Sequence, residues 1–120
     1  MKPEAELQCK IVHFLRLNNI LCFAPCPEMF MTLSRGGNFG LFQHYVNMGF
    51  EKGVLDVWLF KSGKTFVIEC KAPGGKLSPS QDGFITRLER EQIPNAVIDN
   101  YYDFLDQLFK WGVIREMPMR

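Results

Sequence analysis

Apolar residues recur at helical spacing in the first segment, where Leu7, Ile11, Phe14 and Leu15 fall on one stripe with Asn18 next along it. That period predicts a helix from about Pro3 to Leu17, and proline suits its first turn. From Cys22 to Phe50 no period is sustained. This stretch is rich in Phe, Met, Gly and Pro, and is expected to hold an extended segment, a turn at Arg35-Gly36-Gly37-Asn38 and a short helix around Leu41–Met48.

Beyond Gly53 the pattern changes to β-rich runs, Val54–Phe60 and Thr65–Lys71, around Ser62-Gly63-Lys64. Two such runs about a short Ser-Gly turn predict a hairpin. Ala72-Pro73-Gly74-Gly75 then stops the second strand. Ser78-Pro79-Ser80-Gln81 opens a helix, with serine as N-cap, proline at the first helical position and glutamine in the capping-box place. This helix should reach about Glu91. Asn95–Asp99 reads as a short strand, and Asn100 can cap a last helix that carries Phe104, Leu105, Leu108 and Phe109 up to Gly112. The order is helix, irregular segment, hairpin, helix, strand, helix, without repeats or a linker.

Composition adds bounds rather than a function. A chain of 120 residues that is 47% hydrophobic and 22% charged is expected to form one domain, residues 1–120. Fourteen Lys and Arg against thirteen Asp and Glu leave +1, so any nucleic-acid surface must be a local patch. Four cysteines without a signal-peptide pattern read as thiols in a reducing compartment, and no apolar run approaches the roughly 20 residues needed to span a bilayer. A soluble cytoplasmic protein with no membrane partner is expected. Cys22 and Cys26 form the one close pair, and no second pair completes a zinc tetrahedron.

The chemistry concentrates in the hairpin. On a strand, Glu69 and Lys71 share one face while Phe66, Ile68 and Cys70 can bury the other. Asp56, early in the neighbouring apolar run, is costly to bury without a partner or a cation. Two carboxylates beside a lysine suit Mg²⁺ or Mn²⁺, with the backbone carbonyl of Cys70 as a further neighbour and several waters retained. Such a cation lowers the pKa of a bound water, and Lys71 can orient or deprotonate that water or stabilise developing negative charge. Glu69 and Lys71 alone read first as an exposed ion pair of little energetic weight, since Glu-x-Lys is common by chance. Asp56, set after Gly53, is what favours the metal reading.

Other candidates carry two readings each. Glu4 lies on the core-facing stripe of the first helix while Glu6 points away, so Glu4 can reach the carboxylates as a further ligand or water-holding group. It also suits an ordinary place at a helix N-terminus. Gln81 is explained by the capping box, yet its place just after the Lys71 strand keeps it a site candidate. Lys76 and Arg35 lie in Gly-rich loops and can meet a phosphate or remain solvated. Trp58 and Trp111 sit inside apolar patterns and are expected in the core rather than as base-stacking platforms.

Gly53-Val54-Leu55-Asp56 followed by Glu69-Cys70-Lys71-Ala-Pro-Gly-Gly-Lys-Leu-Ser-Pro-Ser-Gln81 resembles the VRR-NUC family of the PD-(D/E)XK nucleases. The resemblance runs from Glu4-xxx-Gln8 to the terminal Leu-Phe-Lys-Trp-Gly. It implies an α/β, restriction-endonuclease-like fold with a central mixed β-sheet flanked by helices, and Mg²⁺- or Mn²⁺-dependent phosphodiester cleavage. Asp56, Glu69 and Lys71 match the catalytic core, Gln81 the glutamine of the following helix, and Glu4 the first-helix glutamate. Stand-alone members are typically encoded by viruses or phage, form homodimers and cut branched DNA such as four-way (Holliday) junctions. The resemblance therefore implies a structure-selective endonuclease; the alternative is a non-catalytic DNA-binding module on the same scaffold. Leu55 stands where the superfamily pattern has proline, which supplies no ligand. Between Cys22 and Phe50 the chain has Ser34-Arg35-Gly36-Gly37-Asn38 where a His-x-Pro-Asn type segment is expected.

Overall fold

A computed structural model describes residues 1–26, 32 and 35–118. Helix α1 spans Pro3–Leu17 with proline in its first turn, and buries Leu7, Ile11 and Leu15 at successive four-residue steps. Asn18, expected on the stripe, is instead the exposed C-cap, its side-chain amide donating to the Phe14 carbonyl at 2.8 Å. The extended segment expected after Cys22 begins slightly earlier, as strand β1 at Leu21–Phe23. Residues 27–31 and 33–34, including Ser34, lie outside the described residues, as do 119–120.

Helix α2, Phe39–Asn47, starts two residues before the expected position and buries none of its side chains. Strands β2 (Val57–Lys61) and β3 (Lys64–Cys70) form the predicted hairpin. Its turn residues Ser62 and Gly63 have φ of 52° and 79°. Positive φ at both central positions gives the turn the twist that two-residue hairpins need. Helix α3 is Pro79–Arg90, strand β4 Asn95–Ile98 and helix α4 Tyr101–Trp111. Asn100 caps α4 by accepting from the Asp103 N–H, and Gly112 ends it at φ 75°.

The result is an α/β fold around a four-stranded mixed sheet in the order β1-β2-β3-β4. The first two pairings are antiparallel and β3 to β4 is parallel. A parallel return needs a crossover, which α3 supplies. The main core packs α1 and α4 on one sheet face through Ile11, Leu15, Val57, Ile68, Cys70, Phe104 and Leu108. On the other face a smaller cluster of Leu55, Val67 and Leu88 lies under α3. Trp111 packs against Phe66 in the main core, whereas Trp58 is half-buried against the smaller cluster. Phe109 departs from its expected place on the core stripe and is 46% exposed. Among the described residues no helix is long and apolar enough to cross a membrane.

Candidate active site

Five residues on β3 from Phe66 to Cys70 are buried in succession, because helices cover both sheet faces at this central strand. Glu69 therefore lies on the α3 side with Val67, 1% exposed, where a carboxylate is costly without partners. The exposed ion-pair reading of Glu69 and Lys71 is overturned here. Their contact is 3.6 Å, with side chains only 2% and 12% exposed.

Asp56 departs from the expected strand position, since β2 begins one residue later at Val57. The cause is an exchange of partners. Continuing the register beyond Val57 and Ile68 would set Asp56 opposite Glu69. Instead the Asp56 N–H donates to Glu69 Oε1 at 3.2 Å, and the Cys70 N–H donates to Asp56 Oδ2 at 2.8 Å. The two carboxylates thus take backbone donors on each other's strands, which satisfies those donors and fixes both side chains at the end of the hairpin.

Gln81 joins this pair to Lys71. Its Nε2 donates to Glu69 Oε2 at 2.7 Å, while its Oε1 accepts from Lys71 Nζ at 2.9 Å and from the Ser78 N–H at 2.9 Å. The capping box is complete, with the Gln81 N–H donating to Ser78 Oγ at 3.2 Å. Gln81 therefore completes the capping box and also contacts Glu69 and Lys71. Lys71 follows the last residue of β3, yet its N–H still donates to the Ile98 carbonyl at 2.9 Å, which anchors its backbone to β4.

Burial, then the Asp56 charge and a hydrogen bond with Asp56, push the Glu69 carboxyl up to about 8; Lys71 opposes this. Two carboxylates this close in a dry setting resist being ionised together. The Cys70 thiol is also pushed up, first by burial, and packs into the main core. Cys70 thus has only its backbone to offer the site.

Glu4, Asp56, Glu69 and Gln81 line one open cavity of about 500 Å³, together with Arg35, Lys52, Gly53 and the first residues of α3. Glu4 Oε1 accepts from the Ala72 N–H at 3.4 Å, so the first helix does reach the end of β3. Among the described residues no three His, Cys, Asp or Glu side chains form a group able to hold a metal ion, so Glu4 borders the carboxylate pair without completing a triad. Lys76 is exposed and is not among the lining residues.

Sequence reasoning missed Lys52, whose only signal was its place before Gly53. It also missed why residue 53 must be glycine. Gly53 has φ 87°, and a Cβ there would overlap the Ser80 carbonyl at the start of α3. The chain bearing Asp56 is thereby seated directly against the helix bearing Gln81. No family model, curated protein or solved structure matches the chain.

Proposed function

We propose that the protein is a metal-dependent DNA endonuclease of the PD-(D/E)XK type, similar to the VRR-NUC family. The observation that carries this reading is the constellation of Asp56 and Glu69 at one end of a hairpin, where Glu69 accepts from the Asp56 N–H and Asp56 from the Cys70 N–H, with Lys71 held 3.6 Å from Glu69 by Gln81 and a cavity opening onto the two carboxylates. Fold architecture supports it in coarser terms, through the mixed sheet with helices on both faces.

The donors fit a hard divalent cation by their chemistry. Asp56 and Glu69 supply carboxylate oxygens in one cavity, and Mg²⁺ or Mn²⁺ takes few protein ligands while keeping several waters. The Cys70 carbonyl is the remaining protein oxygen proposed for it. When bound, the cation supplies charge neutralisation and a more acidic water. Lys71 carries a positive charge beside Glu69 and acts on the attacking water or the developing phosphorane charge. Gln81 holds the lysine and glutamate in register, and Glu4 closes the α1 side of the cavity.

A DNA phosphodiester is the proposed substrate, branched DNA the proposed preference and a homodimer the proposed assembly. The exposed Leu21 and Phe23 on edge strand β1 support an interface between copies. Labelled four-way junctions, flaps and linear duplexes incubated with Mg²⁺ and with Mn²⁺ test the activity, and light scattering tests the dimer. Cleavage by the wild type that disappears in Asp56→Asn is the expected result. DNA binding without cleavage under either metal would favour the non-catalytic module.

A further inference from the structure

The cavity that holds the carboxylates has an unassigned cation on its wall. Lys52 lines it together with Asp56 and Glu69, and is exposed. It makes no hydrogen bond or ion pair within the described chain, whereas Lys71 is held by Gln81 and Glu69, and Lys110 by Asp106. An exposed lysine of this kind is ordinarily solvated surface. Two features set Lys52 apart.

The first is its mounting. Lys52 sits in a turn closed by the Val54 N–H donating to the Glu51 carbonyl at 3.2 Å. The next residue, Gly53, is pressed against the Ser80 carbonyl in a left-handed conformation that side chains rarely adopt. The backbone under Lys52 is thus fixed relative to α3 and, four residues on, to Asp56. The second is the charge layout of the cavity. Its acidic groups are Glu4, Asp56 and Glu69, of which Asp56 and Glu69 accept from backbone N–H groups on each other's side of the hairpin, whereas Lys52, with Arg35, adds positive charge at an exposed position on the wall. A polyanionic chain with one phosphate at the carboxylate pair must carry neighbouring phosphates past that wall.

We infer that Lys52 is a substrate-binding residue that grips a backbone phosphate adjacent to the one cleaved, setting the register of the strand over Asp56 and Glu69. This rests on the nuclease reading proposed above. Because the contact is to a phosphate, it holds for any base sequence and acts on binding rather than on the chemical step.

The test compares wild type, Lys52→Gln and Lys52→Arg on one labelled DNA substrate with Mg²⁺, over a range of salt concentrations. Lys52→Gln should raise KM about five- to tenfold and leave kcat within about twofold. It should also lower the slope of log KM against log salt by about one, the signature of one lost phosphate contact. Lys52→Arg should restore most of the KM. A Lys52→Gln enzyme with wild-type KM and salt slope would overturn this inference while the wild type's cleavage upholds the nuclease reading. A collapse of kcat at unchanged KM would overturn it as well, by moving Lys52 to the chemical step. A wild type that cuts no DNA with either Mg²⁺ or Mn²⁺ would overturn both readings together.

Discussion

The two faces of strand β3 are built from adjacent residues and do opposite work. On one face Phe66, Ile68 and Cys70 join α1 and α4 in a continuous apolar core. On the other, Val67 belongs to a small cluster with Leu55 and Leu88, and two residues on Glu69 is buried among polar partners. Burial stabilises the first face directly. On the second it raises the energy of a charge, the neighbouring Asp56 carboxylate raises it further, and Lys71 opposes both while Gln81 donates to the Glu69 carboxyl. Strand alternation therefore lets one element anchor the fold and carry a strained electrostatic site without mixing the two.

The sharpest way to break this comparison is at the carboxylates. Asp56→Asn should reduce cleavage by more than about a thousandfold, or roughly 4 kcal/mol, by removing a metal charge. Its thermal midpoint without metal should equal or exceed that of the wild type above about pH 8, because an amide can still accept from the Cys70 N–H and no longer opposes ionisation of Glu69. Melting curves in EDTA alongside single-turnover cleavage check both halves. A variant that unfolds would show that the polar face is structural.

Lys71→Met keeps the aliphatic stem and removes the ammonium. Turnover at saturating Mg²⁺ should drop about a hundredfold, near 3 kcal/mol, as expected for a lost transition-state contact. Metal-induced stabilisation should persist. Cleavage within a few-fold of wild type would leave Lys71 as no more than the partner that offsets Glu69.

Ile68→Ala, on the opposite face of the same strand, should cost about 3 kcal/mol of stability through cavity formation. Activity per folded molecule at low temperature should stay near wild type, because Ile68 touches the main core and not the cavity. Urea denaturation and active-site-normalised rates separate these effects.

A smaller effect concerns pH. The Glu69 carboxyl titrates near 8 in the fold and near 4.5 otherwise, so its contribution is fully present below about pH 4.5 and is lost as pH rises through 8. Without metal, the melting temperature should fall by several degrees from pH 5 to 8, after allowance for other groups. Glu69→Gln should flatten that decline, while Ile68→Ala should leave its slope unchanged. Identical slopes in wild type and Glu69→Gln would contradict the burial of an ionisable Glu69.

Elements whose signals are local were readable from the chain itself. Pro3 and the Leu7, Ile11, Leu15 steps determine α1; Ser78, Pro79 and Gln81 determine the start of α3; Ser62 and Gly63 determine the hairpin turn; and Asn100 and Gly112 bound α4. Each rests on hydrogen bonds or φ angles within a few residues, which is why periodicity and capping suffice. Asp56, Glu69 and Lys71 were likewise visible as candidates through spacing on two strands. Tertiary structure alone decided that Glu69 is buried and Lys71 largely so, rather than an exposed pair, since that depends on α3 covering their face. It alone made β2 begin at Val57, because at Asp56 the ladder gives way to the Glu69 carboxylate arriving from the other strand. Gln81's bridge, Gly53's contact with Ser80 and the place of Lys52 in the cavity arise between segments far apart in sequence, where no local period carries the information. Phe109 shows the same limit in reverse: its spacing on α4 is right for the core, but no element among the described residues covers it.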